Sequence, residues 1–263
     1  MKHLSLFAAF LILCFSCSES TESTKNKEQV DEMTAQVKAG DPDTLAYVTG
    51  KFIPEEDERF VAIDTQYADR PGMLLRVEAY DAFRQMDSAA RTEGIELVIR
   101  SATRNFDYQK GIWERKWTGE RAVENGERLN ETTPDPYERA AKILRYSSMP
   151  STSRHHWGTD IDLNSFDNEW FEEGEGKRLY DWLVTHAPSY GFCQVYTDKG
   201  THRPFGYELE RWHWSYLPLA QPLTRWAEKH LNNDGIEGFM GAEVADSLQV
   251  IERYVLGIDP SCQ

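Results

Sequence analysis

The segment Asp160-Ile161-Asp162-Leu163-Asn164 alternates acid or amide side chains with aliphatic ones. As a strand it buries Ile161 and Leu163 on one face and aims Asp160, Asp162 and Asn164 at a cleft on the other. His155 stands upstream, and Gly158 between them permits the tight bend that returns the imidazole toward Asp162. A second segment, Glu210-Arg-Trp-His213, adds another imidazole and a glutamate. In a regular strand Glu210 and His213 would point to opposite sides, so sharing a face requires a turn or bulge before Trp212. Together the two segments can build a hydrolytic zinc site, which needs about three protein ligands, an open position and a nearby carboxylate to take a proton. His155, Asp162 and His213 fit the ligand roles, and Glu210 fits the general base. His156 is the rival imidazole, because neighbours in an extended segment face opposite ways and only one reaches the metal. Asp160 is the rival carboxylate; it could instead hold a ligating histidine or meet a substrate ammonium. Glu208 competes with Glu210 but lacks its spacing to His213.

Taken singly, such histidines and acids are more often ordinary core or surface groups. Their order in the chain reverses that expectation. Residues 153–162 read Ser-x-His-x-x-Gly-x-Ala-x-Asp with one departure, Asp160 in place of the small residue, and residues 210–213 read Glu-x-Trp-His. Upstream, Ser101-Ala-Thr-Arg104 with Gln109 five residues later supplies a third element. In these three motifs the chain resembles the D-alanyl-D-alanine carboxypeptidase and dipeptidase family of zinc peptidases, the vancomycin-resistance carboxypeptidases among them. The resemblance implies a zinc-dependent peptidase acting on peptidoglycan stem peptides and favours His155 over His156 as ligand. It assigns Arg104 to the substrate or transition state, a task a planar guanidinium suits by pairing with a carboxylate or an oxyanion. Ser153, Gln109 and Asp160 are the further candidates for substrate contact. The leading expectation is removal of a terminal D-alanine. L,D-carboxypeptidase, D,D-dipeptidase and endopeptidase action on the same peptides remain open, as does a cell-wall binding module that has lost its chemistry. Retention of His155, Asp162, His213 and Glu210 favours catalysis.

The amino terminus adds a location. Residues 1–17 carry Lys2, an apolar run from Leu4 to Phe15 and Ser16 before Cys17, the layout of an export signal. Cys17 closes that run, which resembles a lipoprotein signal and would give a membrane anchor through a lipid on Cys17. Residues 18–44 are polar and poor in large apolar side chains, so they are expected to form a flexible tether. Aromatics return from Leu45, and residues 45–263 are read as one catalytic domain. The formal charge of −15 disfavours nucleic acid or anionic head groups as partners. Outside the signal only Cys193 and Cys262 remain; a disulfide and a buried free thiol are both compatible with the sequence.

Apolar spacing predicts a helix through Ala79, Phe83, Met86 and Ala90 that stops at Gly94. It predicts others over 107–117 and 135–146, through Leu179 to Ala187, and through Val244, Leu248, Ile251 and Val255 at the carboxyl end. Strands are expected at 95–99, 160–164, 192–197 and 212–216. Helices and short strands without regular alternation point to an α+β domain, mainly antiparallel, with flanking helices and the zinc site in a central cleft.

Overall fold

The computed structural model describes residues 42–263. The export segment, Cys17 and nearly all of the tether lie outside the described residues. Among those described, no helix is long and apolar enough to cross a membrane.

The chain opens with helix α1 (Pro42–Val48) and a small antiparallel pair, β1 (Phe60–Ala62) and β2 (Leu74–Arg76). Helix α2 (Val77–Thr92) follows and ends before Gly94, whose φ of 70° takes the left-handed turn that stops a helix. Then come strand β3 (Ile99–Ser101), helix α3 (Phe106–Trp117) and helix α4 (Pro136–Ile143). The Asn105 and Asp135 side chains cap α3 and α4 by accepting from Tyr108 N and Glu138 N. The remaining main elements are β4 (Asp160–Leu163), α5 (Gly174–His186), β5 (Phe192–Gln194), β6 (His213–Tyr216) and α6 (Leu217–His230).

Four strands form one antiparallel sheet in the order β3-β4-β6-β5. Ile161, Leu163, Trp214 and Phe192 on one face join Ala79, Phe83 and Met86 of α2 and Leu179, Trp182 and Leu183 of α5 in a closed apolar layer. The opposite face meets a second apolar body built from Trp113 and Trp117 of α3, Ile143 of α4 and the α6 residues Leu223 and Trp226. The fold is therefore α+β and mainly antiparallel, as its apolar patterning implies.

Several expected elements change. Residues 95–98 approach in extended form but join no ladder; Asn164 holds them instead, its Oδ1 accepting from Val98 N and its Nδ2 donating to the Glu96 carbonyl. Asn164 therefore does not face the cleft, and its φ of 57° ends the β4 alternation one residue early. The strand expected over 192–197 ends at Gln194, and Trp212 belongs to a turn before β6. The single terminal helix is also corrected. Gln249, at φ 52°, breaks it into a turn over Ala245–Leu248 and a wide helical turn over Ile251–Val255. Leu248, Ile251 and Val255 are all still buried, because apolar spacing records which side faces the core and not whether the hydrogen-bond ladder is continuous. Cys193 and Cys262 form a disulfide, which ties the chain end to β5.

Candidate metal centre

The sheet register brings the central residues together. Across β3, β4 and β6, Ser101 pairs with Asp162 and Asp162 with His213, so all three project from one face in a row. Asp160 and Ser215 make the next row of the same face. His155 arrives from a short 3-10 turn, Arg154–Trp157, that precedes β4. Gly158 closes this turn at φ 68°; a Cβ there would lie 2.3 Å from Phe60 Cε1. The turn is pinned on both sides, with Arg104 N donating to the His155 carbonyl and Arg76 N to the Gly158 carbonyl. Glu210 reaches the same place through the expected turn, in which His213 N donates to the Glu210 carbonyl at 3.3 Å.

One donor atom each from His155, Asp162 and His213 lies within 4.8 Å of the others. Each imidazole has one nitrogen committed elsewhere. His155 Nδ1 is 2.8 Å from the Ala102 carbonyl, which fixes that nitrogen as the donor and leaves Nε2 as a lone pair, 3.3 Å from Asp162 Oδ2. His213 Nε2 is 2.8 Å from Asp160 Oδ2, so Nδ1 is the free nitrogen, 3.1 Å from Asp162 Oδ1 and 3.4 Å from Glu210 Oε2. All four groups are at most 5% exposed. His155 Nε2 and Asp162 Oδ1 make no hydrogen bond, which suits atoms reserved for a cation. The donor set, two imidazole nitrogens and a carboxylate around a common point, fits a divalent transition metal.

The electrostatics agree. Burial would raise Asp162, but His155 and His213 outweigh it and hold the carboxyl well below the usual range. Burial would lower His213, yet its hydrogen bond to Asp160 and the nearby Asp162 and Glu210 carboxylates hold it well above the ordinary value. Three carboxylates thus surround one imidazole, a concentration of negative charge that calls for a cation. Burial, reinforced by Asp162, raises Glu210 against the pull of His213 and Arg104. Burial lowers His155.

His156 turns away. Its Nδ1 lies 2.6 Å from the Arg104 carbonyl, and its ring packs against Gly50. Glu208 pairs with Lys199 and Arg145 outside the cluster. Asp160, offered above as a substrate contact, is 0% exposed and does not line the cleft. Besides His213, its oxygens accept from Arg154, Thr159 and Ser215, so no substrate ammonium can reach it. Arg154 explains why an acid is tolerated where the motif has a small residue. Its guanidinium is 1% exposed, pairs with Asp160 at 3.2 Å and is also held by Thr224, Ser215 and the Trp157 ring.

The cluster opens into a cleft of about 680 Å³ whose lining includes Arg104, Gln109, Ser153 and Trp212. Arg104 donates to Ser101 Oγ at 3.3 Å and stands 4.0 Å from Asp162. Gln109 anchors its amide nitrogen on the Ser148 carbonyl at 2.8 Å, leaving Oε1 without a partner, and Ser153 Oγ also has none. Sequence reasoning overlooked Arg154 and Lys116. Lys116 could have been found, since it lies seven residues after Gln109 and so on the same face of the expected helix.

Residues 72–219, more than half of the chain, match the family model VanY, D-alanyl-D-alanine carboxypeptidase. The chain belongs to this family. Protein YodJ of Bacillus subtilis (strain 168) is 32% identical over 149 residues, 54% of this chain and 46% of that protein, so the chain spans less than half of YodJ. An uncharacterized protein of Haemophilus influenzae is 31% identical over 126 residues, 41% of this chain and 93% of that protein. Among solved structures, the LD-carboxypeptidase LdcB is 23% identical with a TM-score of 0.49, covering 68% of this chain and 76% of that one.

Proposed function

We propose that the chain is a zinc peptidase that removes a terminal D-alanine from peptidoglycan stem peptides. The observation that carries this reading is the pair of opposed imidazoles, each tied by one nitrogen to an outer acceptor and turned by the other toward Asp162, with Glu210 alongside. Family membership supports the substrate class.

His155, Asp162 and His213 would hold the ion, which supplies Lewis-acid polarisation of a water and of the scissile carbonyl. Glu210 is no ligand in this scheme. It accepts the proton of the attacking water and delivers it to the leaving amine. Burial raises its basicity for that task, whereas an exposed glutamate would be a weaker base. Arg104 faces the oxyanion that develops on the substrate. Ser153 Oγ and Gln109 Oε1, buried without partners, offer a donor and an acceptor to the peptide backbone.

The test is metal content together with release of D-alanine from a defined pentapeptide stem. One zinc per chain and D-alanine release are expected. A zinc-loaded protein that cleaves no stem peptide at any bond would return the chain to the binding-module reading, and cleavage at another bond would replace the D,D-carboxypeptidase assignment with that activity.

A further inference from the structure

Helix α3 lines the cleft with Tyr108, Gln109, Ile112, Arg115 and, two turns on from Gln109, Lys116. Lys116 donates to the Ser147 hydroxyl at 2.5 Å and meets no carboxylate within ion-pair distance among the described residues. Partial burial and the neighbouring cations Arg121 and Arg104 push its pKa down to about 8 against the pull of Glu210 and Glu124. Some cations of the cleft are matched, whereas Arg115 makes no ion pair among the described residues. Arg70 and Arg100 share Asp69 at 3.0 and 2.6 Å, and Lys142 lies 2.6 Å from Glu127. Arg121 makes no ion pair among the described residues, and Arg104 comes only to 4.0 Å from Asp162. The chain has 44 acidic residues against 29 basic ones, so a wall of uncompensated cations is not a by-product of composition. Like charges gathered in one cleft are unfavourable until an anion joins them.

We propose that Lys116, with Arg121 at the exposed rim, docks the free α-carboxylate of the peptide's last residue, which makes the chain strictly a carboxypeptidase. The proposal rests on the peptidase reading above and names the substrate feature that the same cleft selects. The ammonium serves as a compact charge for the carboxylate. The Ser147 hydroxyl, which accepts from Lys116, keeps its own proton to donate to the second oxygen. An internal peptide segment brings no carboxylate to this position and would leave Lys116 desolvated and unpaired, which disfavours endopeptidase action.

Calorimetric binding to the zinc-loaded Glu210→Gln protein tests this, with N-acetyl-D-alanyl-D-alanine and its carboxyl-terminal amide as probes. The acid should bind about 10- to 100-fold more tightly than the amide. Lys116→Met in that background should remove most of the preference while leaving amide affinity unchanged, and Lys116→Arg should restore much of it. Thermal unfolding of Lys116→Met should match the parent or exceed it, since a half-buried charge outside any ion pair is removed. Should that variant fail to fold, Arg121→Ala at an exposed position must lower the acid-to-amide ratio. Equal affinity for acid and amide overturns the proposal, and so does equal weakening of both by Lys116→Met. A longer stem peptide with an amidated end and free side-chain carboxylates must be insensitive to Lys116→Met; sensitivity there would assign the site to a side-chain carboxylate instead. Preference for the acid without hydrolysis of any stem would defeat the hydrolase reading alone, whereas hydrolysis of acid and amide at equal rates would defeat this inference alone.

Discussion

Asp160 shows how one residue that departs from a family motif is accommodated by its neighbour. The pair with Arg154 is buried at 0–1% exposure, so each charge depends on the other. Asp160→Ala should therefore cost on the order of 3–5 kcal/mol of stability by stranding Arg154. Because His213 also loses its outer acceptor, zinc affinity should fall about 10- to 100-fold. The double variant Asp160→Ala with Arg154→Met separates the two effects: unfolding free energy should recover while zinc affinity stays low, and joint recovery would deny Asp160 a role toward His213. Glu210→Gln has a different signature. Zinc content and unfolding should be nearly unchanged while turnover of a stem peptide falls about 10²- to 10⁴-fold; full activity would remove Glu210 from the base role. Lys116 gives a pH dependence. Its pKa is lowered to about 8 by burial, with Ser147, Arg121, Arg104, Glu124 and Glu210 as the groups around it. A lysine is charged below its pKa, so affinity for a peptide acid should be full at lower pH and decline as pH rises through about 8. Lys116→Arg should extend the plateau upward, as titration calorimetry across pH would show.

Among the elements, the turn before β4 carries the most consequence for its length. Arg154, His155 and Gly158 come from one short segment that must place an imidazole at the metal position and then enter the strand bearing Asp162. Gly158→Ala adds a Cβ at positive φ against Phe60 and should cost about 2 kcal/mol or more. The displaced turn should also lower zinc content, measured on the folded fraction after denaturant titration locates the transition. Strand β3 and the carboxyl-terminal segment illustrate the opposite case. Apolar spacing was right about which side of each is buried, but β3 starts only at Ile99 because the Asn164 side chain occupies the preceding backbone groups. The last helix fails as a continuous element because Gln249 adopts a left-handed conformation that apolar spacing does not reveal.

At the scale of the whole molecule, the disulfide closes 69 residues of chain and joins the last turn to β5, the strand beside β6 and its His213. Cys193→Ser or Cys262→Ser should lower stability by on the order of 2–4 kcal/mol, read as a lower Tm that the reductant-treated wild type reproduces. A bridge of this kind persists in oxidising compartments. The sequence by itself determined the α+β class, the strand that carries Asp162 and the candidate set His155, Asp162, His213 and Glu210. The first two depend on local periodicity, and the third on short spacings within two segments together with the family motifs they resemble. Tertiary structure alone decided which nitrogen of each imidazole is free, that Asp160 lies behind His213 and not in the cleft, and that Lys116 has no carboxylate within ion-pair distance among the described residues. Those outcomes depend on the Ala102 carbonyl, on Arg154 and on Ser147, which reach the site from other elements through register and packing, and no local spacing encodes such meetings.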